Sequence, residues 1–339
     1  MKTTALITTT INVPTVLKLY RKLDPSVAFF VAADEKTPRE AYDFCAQIPD
    51  CEIYSPDRQK ELGYECSSLI GWNTIARRNI ALLEALRWGA DVIVTIDDDN
   101  IPLGPTHRFD FTVGCLHDGL AATSPTGWFD VGTLLDPVAP HRGFPHTRQY
   151  PAVFEPVTDA RVGVAAGICL GDPDISACTR IANAPTVHRV SELLRAGIVT
   201  DPRKTWTVVN SQNTAFIREL APAFLMVPQW QRYDDIWASL IAQRVMRDLG
   251  LHVHFGMPFV VQQRNYHDLV KDLKAEIYGM EYTVEFAEWL DDFPSNCAPK
   301  ITAFDLVAAI YERLTIMGFM PQDINLLGAA WCRDLEKVL

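Results

Sequence analysis

The chain has no Cys-x-x-Cys pair: its eight cysteines, at positions 45, 51, 66, 115, 169, 178, 297 and 332, are scattered. That spacing excludes a zinc ribbon and a paired-cysteine redox motif, and reduced, mostly buried thiols are expected. Long apolar runs are missing as well. The opening Met1-Lys2-Thr3-Thr4-Ala5-Leu6-Ile7-Thr8-Thr9-Thr10 is too interrupted by threonine for a secretory signal, and no stretch reaches the apolar length of a bilayer span. The expectation is a cytoplasmic protein without a membrane partner. Positive charge is scarce: the net charge is −11, whereas wrapping nucleic acid or lying on anionic lipid requires a basic surface. Phosphates would have to be met locally, by a few arginines or a metal ion. Low-complexity tracts, like-charge blocks, internal repeats and flexible linkers are also lacking, so disorder is expected only at the ends.

What remains is an ordinary globular composition, 48% hydrophobic and 22% charged over 339 residues. That length suits one large α/β domain with insertions. Strand and helix signals alternate from the start. Ala5 to Thr9 is β-prone, Thr15 to Leu23 is helical, and Val27 to Ala32 is a buried strand ending at Asp34. A helix capped near Asn73-Thr74 stops at Gly89, and the strand Asp91 to Ile96 runs into Asp97-Asp98-Asp99-Asn100. About residues 104 to 210 read as short strands and loops, Tyr233 to Leu249 as an amphipathic helix, His252 to Gln262 as a strand, and the tail from about Thr283 as an appended helical element. We therefore divide the chain into a main α/β domain, 1–282, and a helical extension packed on it, 283–339.

Ligands of open α/β sheets bind beyond the carboxyl ends of strands, which places Thr8 to Thr10, Asp34 and the acidic cluster at one crevice. Strand alternation would put Asp97 and Asp99 on one side and send Asp98 elsewhere. Two crowded carboxylates with oxygen-only chemistry suit Mg²⁺ or Mn²⁺, although a solvated acidic turn is the plainer alternative. Asp234 and Asp235 open a helix, where one acidic residue answers the helix dipole and the second is free to hold hydroxyl groups or act as a base. Of Arg77 and Arg78, one can reach a diphosphate while the other is a solvated surface charge. His267 follows a strand end; a lone histidine is more often structural, but its position also admits a third metal ligand, favouring manganese.

Several segments together resemble the reversibly glycosylated polypeptide family, which includes the UDP-arabinopyranose mutases, over roughly residues 90 to 280. The segments are Thr95-Ile96-Asp97-Asp98-Asp99, Leu135-Asp136-Pro137, Arg142-Gly143-Phe144-Pro145, Gly167 to Asp174, Arg232-Tyr233-Asp234-Asp235-Ile236-Trp237 and Leu249-Gly250-Leu251. Two features depart from the family pattern: a second arginine falls one place out of register at Arg148, and Gln262 to His267 differs.

The resemblance implies a GT-A-like, Rossmann-like mixed sheet flanked by helices, and a metal-dependent mutase interconverting pyranose and furanose forms of a nucleotide sugar, UDP-arabinose-like or GDP-fucose-like. It implies Arg142, Asp234 and Asp235 as catalytic residues, Arg142 corresponding to the arginine that becomes glycosylated in the family. Thr8, Thr10, Asp34, Arg77 and Asp98 are expected on the nucleotide, and Asp97, Asp99 and His267 on the metal. A GT-A glycosyltransferase acting on an unknown acceptor and a non-catalytic nucleotide-sugar-binding protein are the alternatives. A homo-oligomer stays open.

Overall fold

Continuous apolar runs form the centre of the molecule. In the computed structural model, which describes residues 2–105, 109, 111–263, 267–294 and 302–339, Ala28–Ala33 and Val92–Ile96 are strands with every residue buried, as parallel strands covered on both faces must be. In chain order the strands are β1 (Thr4–Thr10), β2 (Ala28–Ala33), β3 (Cys51–Tyr54), β4 (Val92–Ile96), β5 (Asn100–Pro102), β6 (Leu116–Thr123), β7 (Trp128–Phe129), β8 (Leu135–Asp136), β9 (Val153–Gly171), β10 (Arg189–Val190), β11 (Ile198–Thr200), β12 (Trp206–Thr207), β13 (Asn213–Ile217) and β14 (His252–Gln262). Ten of them make one mixed sheet of order β3-β2-β1-β4-β13-β9-β6-β11-β14-β5; β10 with β8 and β12 with β7 form two small ribbons. This is the α/β, GT-A-like architecture expected, with helices flanking the sheet and more helices at the carboxyl end.

The register decides where chemistry gathers. β1, β2, β3 and β4 are parallel to their sheet neighbours within this group, so Thr10, Asp34 and Asp97 leave the sheet at one edge. β13 runs antiparallel to β4 and brings its amino end, Ser211 and Gln212, to the same edge. β14 runs parallel to β9, and Gln262 pairs with Gly171 on one side and Asn100 on the other. Five strands thus deliver polar ends to a single rim.

The middle of the chain is more regular than its composition suggests, because β9 is one 19-residue strand. Pro156 and Asp159 break its apolar alternation. Asp159 adopts φ 56°, and the pairing with β6 slips between His117 and Gly119, the mark of a bulge that bends the strand.

Two helices matter most to the site. Arg78–Trp88 packs against β1 and β2 and ends at Gly89, whose φ of 94° is the left-handed cap that glycine takes without strain. Asp234–Leu249 carries a buried face along most of its length. Trp237, fully buried, meets Trp230 and Phe286 and donates from Nε1 to Thr283 Oγ1 at 2.9 Å. Truncating such a tryptophan to alanine costs about 3–5 kcal/mol.

The tail is helical, as expected, in Leu269–Asp292, Ala303–Arg313 and Ile324–Glu336. The expected boundary between 282 and 283, however, falls inside the first of these helices, and one continuous apolar core joins Leu6 to Trp331. The carboxylate of Asp334 accepts from the backbone N–H groups of Glu65 and Cys66 at 3.0 and 2.8 Å, tying the last helix to the N-terminal third. Among the described residues no helix is long and apolar enough to cross a membrane. The described cysteines are free thiols: four are buried, Cys51 and Cys115 are half-buried, Cys178 is exposed, and Cys297 lies outside the described residues.

Candidate active site

Beyond the rim lies a crevice of about 760 Å³, within the size range of small-molecule sites. It contains two groups of charged residues, one on each side of the amino end of β13.

The first is the acidic turn. β4 ends at Ile96 and the chain reverses at once, with Asn100 N donating to Asp97 O at 3.2 Å. Strand alternation therefore does not apply, and Asp97, Asp98 and Asp99 all line the crevice. Each has a different partner. Arg78 Nη2 lies 2.8 Å from Asp97 Oδ1, Thr10 Oγ1 donates to Asp98, and Gln262 Nε2 donates to Asp99 at 3.2 Å. Burial, with Asp97 adding its charge, pushes the Asp99 carboxyl up to about 6. Burial also raises that of Asp98, against the hydrogen bond from Thr10.

The second group centres on Arg142. Its Nε and Nη2 meet Asp174 Oδ1 and Oδ2 at 2.8 Å each, a bidentate fork, and Nη2 also lies 3.1 Å from Asp235 Oδ1. Burial pulls its pKa down, but the two carboxylates outweigh that and hold it well above its ordinary value. The loop reaches this position because residue 143 is glycine: with φ 89°, a Cβ there would stand 2.6 Å from Ile236 Cγ2 in the first turn of the Asp234 helix.

Asp234 and Asp235 are set apart by their surroundings. Asp235 Oδ2 accepts from Ser211 N at 3.0 Å and Ser211 Oγ at 3.1 Å in addition to Arg142, so its charge is matched. Asp234 accepts from Asp235 N at 2.9 Å. Burial, followed by the Asp235 charge, pushes its carboxyl up to about 8. Burial and the adjacent Asp235 charge thus favour its protonated form, as suits a carboxyl that both gives and takes a proton. Just before this helix, Gln231 lines the crevice at φ 53° and ψ −119°, a conformation costing a non-glycine residue about 1–3 kcal/mol.

Two of the expected residues, Thr8 and Arg77, lie away from the crevice, and two, Asp34 and His267, line it with partners of their own. Thr8 is fully buried inside β1, donating to Ile96 O at 2.9 Å. Arg77 is neither in the crevice nor solvated: it is fully buried, held by Gln59, Ser67 and Gly71 and stacked 4.0 Å from the Trp72 ring, and burial lowers it to about 10. Its neighbour Arg78 takes the crevice position. Asp34 lines the wall, where Oδ1 accepts from Glu35 N and Asn73 N at 2.7 and 2.8 Å and Oδ2 from Thr74 N at 3.0 Å, so it braces the wall. His267 lines the crevice with Nδ1 3.1 Å from Asp272 Oδ2. Among the described residues no three His, Cys, Asp or Glu side chains come together to hold a metal ion, so the set Asp97, Asp99 and His267 is not assembled.

A model of the family described as reversibly glycosylated polypeptide matches residues 6–326. This chain belongs to that family. The match is much wider than the segments about 90 to 280 that suggest it in the sequence. Among relatives, the probable UDP-arabinopyranose mutase 1 of Solanum tuberosum is 28% identical over 271 residues, 73% of this chain and 72% of that protein. The probable UDP-arabinopyranose mutase 2 of the same plant is 31% identical over 234 residues, 66% of this chain and 61% of the relative. The UDP-arabinopyranose mutase 1 of Arabidopsis thaliana is 32% identical over 197 residues, 56% and 52%. For the last two, the alignment spans less than two thirds of the relative.

Within this family member, the two arginines of the 142–148 segment have separate fates. Arg142 enters the crevice, while Arg148 points away and pairs with the exposed Glu288 at 2.8 Å. Asp174, Ser211 and Gln262 belong to the site although the sequence assigns them no role there, and Arg78 is the one of the two neighbouring arginines that reaches it. Asp172-Pro173-Asp174 reads as a turn in the sequence; that Arg142, 32 residues earlier, comes to meet it is set by the sheet.

Proposed function

We propose that this chain is a nucleotide-sugar mutase that interconverts pyranose and furanose forms of an NDP-sugar. The observation supporting it best is the pairing in one crevice of an acidic turn suited to a cation-bound diphosphate with a buried Arg142–Asp174–Asp235 cluster beside Asp234, whose carboxyl burial pushes up. Family membership and the names of the relatives point the same way.

Asp97 and Asp99 would hold a divalent cation, Mn²⁺ or Mg²⁺; their oxygen-only donors fit such hard ions, and burial together with the Asp97 charge, which lift Asp99, are what a cation would offset. When bound, the ion neutralises charge developing on the diphosphate as the anomeric C–O bond breaks. Arg78 sits beside this turn as a fixed positive charge.

Ring size changes if a second sugar hydroxyl attacks the anomeric carbon and the original ring oxygen then leaves before the diphosphate returns. The balance requires one proton to come off the attacking hydroxyl and one to be delivered to the departing ring oxygen. With Asp235 occupied by Arg142 and Ser211, Asp234 is the group for both transfers: in its ionised form it takes the proton of the attacking hydroxyl, and that same proton then passes to the departing ring oxygen, so the carboxylate ends as it began. Arg142 serves as an electrostatic partner: its paired carboxylates keep it charged and therefore non-nucleophilic.

The test is incubation with UDP-arabinopyranose or a GDP-linked deoxysugar such as fucose and Mn²⁺, without acceptor, followed by NMR of the anomeric region. A mutase yields the furanose isomer. A glycosyltransferase yields at most slow hydrolysis and a binding protein returns the input, and either result would overturn the proposal. Thermal shifts with UDP and GDP identify the base.

A further inference from the structure

Of the nitrogens of Arg142, Nε and Nη2 are committed to carboxylates, whereas Nη1 is buried without a hydrogen-bond partner among the described residues. A buried unpaired N–H pair is costly, and the residue borders the crevice.

We propose that Asp174 is the positioning residue that locks the Arg142 fork so that Nη1 alone is offered to a substrate oxygen on which negative charge develops. This deepens the mutase reading and rests on it for the identity of the oxygen.

Asp174 is suited to the task in a way Asp235 is not. It engages two nitrogens in the plane of the guanidinium, at 2.8 Å each, and such a fork fixes both rotation and tilt. Asp235 reaches only Nη2, at 3.1 and 3.3 Å, and is held independently by Ser211. A single-nitrogen contact leaves the guanidinium able to swing.

Asp174 is itself anchored from several directions. Its carbonyl accepts from Arg142 N at 2.9 Å, so backbone and side chain grip the same residue. Before it, Asp172 N donates to Gln262 O at 3.2 Å, Arg180 pairs with Asp172, and Arg180 also donates to Pro173 O at 2.5 Å. After it, Ser176 caps the helix Ala177–Asn183, and Ala177 N donates to the buried Glu276 at 2.8 Å. The turn after β9 is thereby bolted to β14 and to the long C-terminal helix, and through Asp174 it passes that rigidity to Arg142.

The experiment has two arms. In ¹H–¹⁵N spectra of the full chain, the Arg142 Nε–H signal, assigned by its loss in Arg142→Lys, should be slow to exchange with solvent. It should collapse in Asp174→Asn and persist in Asp235→Asn; persistence in Asp174→Asn overturns the lock even if the protein proves to have no mutase activity. In kinetics, Asp174→Asn should lower kcat about 100-fold with KM for the nucleotide sugar changed less than about threefold. Combined with Arg142→Lys it should add less than about twofold to the loss from Arg142→Lys alone, because Asp174 acts through that side chain. Independent, multiplying losses overturn the proposal. Asp174→Glu keeps the charge but shifts the carboxylate by a methylene; it should show the same kcat loss with the far-ultraviolet spectrum of the folded protein, and full activity in it counts against the lock.

Discussion

Arg78 and Asp97 share the floor of the crevice: Nη2 lies 2.8 Å from Oδ1, with the arginine side chain 3% exposed and the aspartate 24%. The same guanidinium reaches Thr95 Oγ1 and Ser211 O at 3.1 and 3.2 Å, so one residue joins the helix, β4 and the approach to β13. We expect Arg78→Met to cost about 2 kcal/mol in urea denaturation, less than a fully buried pair because Asp97 keeps some water. It should also weaken UDP or GDP binding at least about tenfold, measured by calorimetry. Arg77→Met, outside the crevice, should lower stability and leave nucleotide affinity alone.

Asp99→Ala should abolish Mn²⁺-dependent nucleotide binding and preserve the fold, since the side chain stands in the turn beyond β4 and not in the core. Calorimetric titration of Mn²⁺ with nucleotide present gives the answer, and unchanged affinity would remove the cation from the acidic turn. In the same assay His267→Ala should stay within about twofold of wild type, given the pairing of His267 with Asp272.

Burial pushes the Asp234 carboxyl up to about 8 in the folded chain, from an ordinary value of 3.8. Between those values the folded state keeps a proton that the unfolded chain has lost. Its contribution to stability is therefore fully present below about pH 4 and drains away as the pH rises to about 8. Urea midpoints at pH 5, 6.5 and 8 should show wild type losing ground to Asp234→Asn as pH increases. Parallel slopes for the two proteins would mean that Asp234 is ionised at rest.

Gly143→Ala forces a Cβ to within 2.6 Å of Ile236 Cγ2 at a φ of 89°. The expected loss is about 2 kcal/mol of stability, together with a kcat decrease, because the Arg142 loop must back away from the Asp234 helix. A thermal melt and a turnover assay on the one variant check both.

How much of this could be read in the chain varies with the range of the interaction involved. β14 is found at its expected bounds, and β1, β2 and β4 within a residue or two, because apolar patterning is local. The choice between Arg77 and Arg78 was not legible. Residues 75–77 form a 3-10 turn before the α-helix starts at Arg78, and one step along a helix swings a side chain by about 100°. Thr8 fails for a related reason: it lies two residues short of the end of β1, where its hydroxyl bonds the neighbouring strand. Asp34 sits where expected, but its oxygens are taken by backbone groups 39 and 40 residues downstream. Asp174 required knowledge of a contact 32 residues away. Residue types at strand ends indicate a crevice; which oxygen is left over depends on long-range closure.

The clasp between Asp334 and the amides of Glu65 and Cys66 spans 269 and 268 positions. The short helix it caps leads directly into Gly71 and the Asn73–Thr74 wall braced by Asp34. On a ribosome, the segment leading to this wall would emerge hundreds of residues before the carboxylate that caps it, and the ends of a long loop must meet before the cap forms. Completion of the crevice is thus coupled to the arrival of the last helix, and a nascent chain halted before Asp334 would carry the acidic turn but lack the clasp behind its opposite wall.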